Sequence, residues 1–209
     1  MAETITPVDR RTAIIEAAIE VFSQYGFDAG TTRQIAEQAG VAEGLLYRYF
    51  DSKQELLREA IRSRSALPWL EESEDALLAL PADEGIRRIL TRALDHMDDN
   101  SGPFMVMWSQ LATNDTVAQS LAGFINEALQ RIAGFLEAKV ASGELRGIDT
   151  EVASQMMMGS LVTYTLRTRR LSPPLTRISR RRFIDGVVEI LTGCHTSSMG
   201  CDNGQGQDD

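Results

Sequence analysis

Between Glu43 and Phe50 the chain places Gly44, Leu45 and Arg48 on one side of a short helical turn, opposite the apolar pair Leu46 and Phe50, with Tyr47 and Tyr49 flanking. These residue types suit the reading of duplex DNA. A small residue permits close approach, an arginine can donate two hydrogen bonds to guanine, a leucine can touch a thymine methyl, and phenols can reach phosphates. Lys53, at the start of the next helical segment, adds a cation beside free backbone N–H groups, a combination that holds phosphate. The same pattern is also satisfied by a tolerated surface glycine and two half-buried tyrosines. Charge does not separate the two readings. Residues 1–64 hold eight basic and ten acidic side chains, a net of −2, and the whole chain carries −9. Any cationic face must come from placement.

The elements that must position these residues are helices. Thr6 is the expected cap of a first helix, with Pro7 at its first position and Gly26 as its left-handed end. Ile14, Ala18, Val21, Phe22 and Tyr25 form its buried stripe. Thr31 with Gln34 forms a capping box for a helix of barely two turns that stops at Gly40. The segment 43–50 follows as another short helix, and Asp51-Ser52 with Glu55 starts the next, which carries Leu56, Leu57, Ala60 and Ile61. Two short helices joined by a glycine-containing turn form a helix-turn-helix unit, whose second helix enters the major groove.

The run Thr32-Arg33-Gln34-Ile35-Ala36-Glu37-Gln38-Ala39-Gly40-Val41-Ala42-Glu43-Gly44-Leu45-Leu46-Tyr47-Arg48-Tyr49-Phe50, followed by Ser52-Lys53-Gln54-Glu55-Leu56, resembles the DNA-binding domain of TetR-family transcriptional regulators over roughly residues 10–61. The resemblance implies an all-α protein: an N-terminal three-helix helix-turn-helix domain followed by a helical ligand-binding and dimerisation domain, about nine helices in all. It implies a bacterial repressor that binds a two-fold-symmetric site on double-stranded DNA as a homodimer and is released by a small-molecule effector. The alternatives are an activator, an effector-independent regulator, or a helical small-molecule-binding protein that no longer reads DNA. By the same carry-over Thr32, Tyr47, Tyr49 and Lys53 meet phosphates, and Arg33, Gln34, Gly44, Leu45 and Arg48 are the candidates for base edges. Ala42 stands where the family commonly has a hydroxyl, which leaves the reading helix without a side-chain cap, and Tyr49 stands where it often has histidine.

The expected division is a DNA-binding domain over 1–51, a connecting helix over 52–66, a ligand-binding and dimerisation domain over 67–192, and a flexible Gly-, Ser- and Asp-rich tail over 193–209. Breaks are expected at Pro81, Ser101-Gly102-Pro103, Asn114-Asp115, Ser142-Gly143 and Ser172-Pro173-Pro174, with the last helix running from about Thr176 to Leu191. Phe104, Met107, Trp108, Phe124, Met157, Leu161 and Tyr164 are the expected ligand-pocket residues, with Gln110, Asn114, Gln155 and Thr163 as polar helpers. Met156, Gly159, Thr163, Phe183, Val187 and Leu191 are the expected dimer contacts, on two helices whose apolar band is wider than one-sided packing needs.

No catalytic motif is present: no His-Glu-x-x-His, P-loop, Gly-x-Gly-x-x-Gly or Gly-x-Ser-x-Gly. No enzyme activity, cofactor or metal is expected. Asp95, His96, Asp98 and Asp99 read as a solvated helix face, and Cys194, His195 and Cys201 are too few for a metal site. With no apolar run of about 18–20 residues and no signal-peptide layout, the expected location is the cytoplasm, away from membranes. Arg167, Arg169, Arg170, Arg177, Arg180, Arg181 and Arg182 cluster without an intervening acid, and a solvated junction is the expectation for them.

Overall fold

Every regular element in the described residues of the computed structural model (7–100, 110, 112–169 and 178–193) is a helix. The first, α1 (Pro7–Ala29), buries Ile14, Ala18, Val21 and Phe22 as the stripe requires. Tyr25 departs from it and is 47% exposed, one residue before the backbone breaks at Gly26. That glycine has φ 78° and ψ 172°, an extended mirror-image conformation rather than the expected left-handed helical one, and a further turn continues to Ala29. The expected cap Thr6 lies outside the described residues.

The helix-turn-helix forms as its capping residues dictate. In α2 (Thr32–Gln38) the Thr31 hydroxyl accepts from the Gln34 N–H at 3.2 Å, and the Gln34 side chain accepts from the Thr31 N–H at 2.8 Å. The helix ends because Gly40 adopts φ 67°, letting the Val41 N–H reach the Ala36 carbonyl and the Gly40 N–H reach that of Glu37. After this turn comes α3 (Glu43–Tyr49), whose N-cap Ala42 supplies no side-chain hydrogen bond. Ser52 caps α4 (Lys53–Ser63) by accepting from the Glu55 N–H, and the Glu55 carboxylate accepts from the Asp51 N–H.

Beyond α4 lie α5 (Leu67–Glu72), α6 (Glu74–Leu78), α7 (Ala82–Asp99), α8 (Asp115–Ala141), α9 (Thr150–Arg169) and α10 (Arg180–Thr192). Ten helices are thus described where about nine are expected. The stretch 67–78 divides in two at Ser73. The last helix begins at Arg180 rather than near Thr176, because Ser179 is extended and its hydroxyl accepts from the Arg182 N–H. The breaks expected at 101–103 and 172–174, and the tail from Cys194, lie outside the described residues.

Arg180 opens α10 at the helix end that disfavours cations. Asp95 and Asp98 of α7 offset it, at 2.5 and 3.6 Å, and the Thr91 carbonyl accepts from it at 2.8 Å. Part of the arginine cluster is therefore a tether between two helices, and two members of the acidic face expected to be solvated are its partners. A second tether is buried. The Lys139 ammonium donates to the Leu78 and Leu80 carbonyls and to Glu144, at 2.8, 2.6 and 2.8 Å, while Glu144 also accepts from the Ala82 N–H. One lysine and one glutamate thereby finish α6 and start α7.

Two hydrophobic clusters hold the molecule. One gathers Ile14, Ala18, Phe22, Ile35, Leu46, Phe50, Leu56, Leu57 and Ile61, and it is completed by Val117 and Leu121 of α8. The other gathers Ile86, Leu90, Leu94, Ile132, Leu136, Met157, Leu161 and Leu191. Between the clusters, α4 packs against both α1 and α8.

Candidate nucleic-acid interface and internal cavity

The outer surface of α3 is built by what lies beneath it. Leu46 and Phe50 are fully buried, each contributing about 1.5–3 kcal/mol of apolar burial, and they fix the helix so that Gly44, Tyr47 and Arg48 face outward. Leu45 and Tyr49 are half-buried at its edges. A Cβ on Gly44 meets nothing within 4 Å, so packing within the chain does not demand a glycine there. Among the described residues no hydrogen bond or ion pair engages Arg48.

Thr32 and Tyr47 are brought together. The Tyr47 hydroxyl donates to the Thr32 hydroxyl at 3.3 Å, which in turn donates to Glu43 at 2.7 Å. Arg33 is exposed and pairs with Glu37 at 3.0 Å, an exposed contact worth little. Gln34 is committed to its cap, and Ala42 is exposed at the start of α3. Lys53 lies back on α1, its ammonium 3.3 Å from the Asp28 carbonyl and 4.5 Å from the centre of the Phe27 ring. Partial burial holds its pKa below the ordinary lysine value, against a smaller opposing pull from Asp28.

A cavity of about 380 Å³ occupies the seam between the two hydrophobic clusters, within the roughly 300–1,000 Å³ range of ligand sites. Phe124 and Leu161 line it as expected, and so do Gln155 and Thr163. Met157 does not: it is buried in the neighbouring core. Tyr164 is also absent from the wall, because its ring stacks on Phe183 at 4.4 Å and its hydroxyl donates to the Ile178 carbonyl. Phe104, Met107 and Trp108 lie outside the described residues. Asn114 is the N-cap of α8, and Gln110 accepts from the Phe27 N–H at 3.2 Å, satisfying a donor freed by the break at Gly26.

Several wall residues were not anticipated. Ile19, Phe22 and Ser23 come from α1, Arg64 from the end of α4, and Trp69 from α5. His96 and Asn100 complete the polar portion. Burial, with Arg92 nearby, pushes the His96 imidazole below its ordinary pKa, so it is mostly neutral at pH 7. The signal for these two was available: Ala93, His96, Met97 and Asn100 continue the buried face of α7 at helical spacing.

Of the expected dimer contacts, Met156 is 57% exposed, Phe183 and Val187 are half-buried against their own core, and Leu191 is buried within it. Gly159 and Thr163 line the cavity. Val152 and Ile190 add exposed apolar surface, Ile190 at 63%.

Residues 14–60 match the bacterial regulatory proteins of the tetR family, and residues 84–195 match the C-terminal domain of AefR-like transcriptional repressors. The fatty acid metabolism regulator protein of Bacillus subtilis is 28% identical over 154 residues, covering 71% of this chain and 77% of that protein. The HTH-type transcriptional repressor KstR2 of Rhodococcus jostii is 27% identical over 152 residues, covering 71% and 74%. Among solved structures, the transcriptional regulator FadR of Bacillus subtilis in complex with stearoyl-CoA superposes with a TM-score of 0.66 at 24% identity, over 88% of this chain and 99% of that one.

Proposed function

Because the chain belongs to the TetR family of bacterial regulatory proteins, a family of non-enzymatic DNA-binding transcription regulators, we propose that it is a repressor that holds a two-fold-symmetric operator as a homodimer and leaves it when a small molecule fills the seam cavity. The observation that carries this reading is the outer face of α3, where Gly44, Tyr47 and Arg48 are exposed above a fully buried Leu46 and Phe50. Apart from the hydrogen bond from Tyr47 to Thr32, such a face does little packing within its own chain, and it suits a groove.

Release by a ligand is supported by the cavity's walls. They include α1 and the end of α4, the elements that carry α2 and α3. A ligand that favours one arrangement of these walls shifts the separation of two reading helices, which must stay near 34 Å for half-sites one turn apart. The mostly apolar wall suits a largely apolar effector, and the regulator relatives, one of them holding stearoyl-CoA, support that class. Dimerisation through α9 and α10 is supported by the exposed Val152, Met156 and Ile190.

The experiment is selection of purified full-length protein on randomised duplex DNA, followed by sequencing. A symmetric site is the expected result, and featureless enrichment refutes the reading. Transcription from a promoter carrying that site, with the gene deleted, then separates repression from activation: a repressor's loss raises output.

A further inference from the structure

Among the described residues of the cavity wall, Arg64 is the only one with a formal charge at pH 7, and no carboxylate takes part. Arg64 follows the last turn of α4, and its Nη2 donates to Glu16 of α1. Its Nε is buried and has no acceptor. Glu16 therefore engages one donor of a guanidinium edge whose Nε–H and Nη2–H together match the two oxygens of a carboxylate. A buried donor without an acceptor is costly, and an entering acceptor relieves that cost.

We propose that the cavity takes an amphiphile with an apolar body and a terminal anion, a carboxylate in the simplest case, and that this anion takes Arg64 from Glu16. The proposal rests on the ligand-release reading above and adds the head group and its receiver. It also gives occupancy a route to the DNA-reading helices. The pair Arg64–Glu16 joins the end of α4 to α1, and its exchange for a ligand pair removes that tie. A neutral ligand of the same shape leaves the tie in place.

The test uses the full-length protein at pH 7.5, with binding read by calorimetry. The probes are dodecanoate, dodecan-1-ol and dodecanoyl-CoA, whose anion is on the nucleotide. Dodecanoate is expected to bind about tenfold to a hundredfold more tightly than the alcohol. Arg64→Gln brings the acid to the level of the alcohol, and a cooperative thermal melt of the variant shows that it is folded. Arg64→Lys keeps part of the preference, and Glu16→Gln, which removes the competitor, tightens acid binding. Arg64-dependent binding of dodecanoyl-CoA alone supports an anion of nucleotide origin. Equal affinity for acid and alcohol, a preference that survives Arg64→Gln, or no binding of any probe overturns the proposal. DNA selection is read separately, so failure of the regulator reading is distinguishable from failure of the head-group assignment.

Discussion

Alanine at Gly44 separates what the fold needs from what DNA reading needs. A new Cβ meets nothing within 4 Å, and the position is helical, so within the protein the change only removes the glycine penalty. That gain is about 1 kcal/mol in a helix interior and smaller at the second position of α3, where Gly44 sits. It raises the melting temperature by less than roughly 4 °C in a chain of this size. On DNA the same methyl stands on the face expected to approach base edges most closely. A disturbed base contact costs about 1–3 kcal/mol per half-site. In the proposed symmetric dimer two reading helices double this to roughly 2–6 kcal/mol, a loss of at least about thirtyfold. Fluorescence anisotropy on the selected site and thermal melting by circular dichroism measure both quantities on one preparation. Unchanged affinity with raised stability refutes the placement of Gly44 against DNA, and a lowered melting temperature refutes the account of its surroundings.

Arg48→Ala is expected to relax preference at one base position for about 1–3 kcal/mol, whereas Lys53→Ala weakens all sequences and lowers the salt slope by about one per site, both read from affinity against salt. Ala42→Ser supplies the cap that α3 lacks, and chemical denaturation is expected to show a gain of about 1 kcal/mol. Gly85→Ala places a Cβ 2.5 Å from the Phe135 ring, so loss of about 1–3 kcal/mol is expected in the same assay. Lys139 holds the Glu144 carboxyl below the ordinary pKa of 4.5, so this pair's stabilisation is intact at neutral pH and is lost as pH falls through the lower folded value. Acid titration of Glu144→Gln is expected to show a shallower fall in stability below about pH 4.5 than the parent chain.

Local order was legible because it is written locally. Thr31 with Gln34, Gly40 at the turn and Ser52 with Glu55 are each complete within a few residues, and all three act as their types require. The inside of α3 was legible for the same reason, since Leu46 and Phe50 define it by spacing alone, but Leu45, expected on the outer face, is half-buried at its edge and Tyr47, expected to flank it, faces outward. The cavity was not, because its walls join Ile19 to Thr163 across most of the chain, and no periodicity records which helices will meet. Met157 and Tyr164 have the right chemistry for a pocket, but they sit one helical step away, one in the core and the other on Phe183. Leu191 shows the same limit. Its apolar band was visible, but which part of the band the chain would keep for itself depends on how α7 and α9 approach.

Val117 and Leu121 complete the cluster that holds α1 to α4 together, although they belong to a helix more than fifty residues further along the chain. The DNA-reading head is therefore not a detachable cassette. Excised after α4, it leaves Leu57 and Ile61 short of cover, and a chimera that joins it to another regulator's C-terminal half inherits that half's version of α8. The head and the C-terminal half of this chain are therefore a matched pair, and either can be exchanged only if Val117 and Leu121, or residues that fill the same space, come with it.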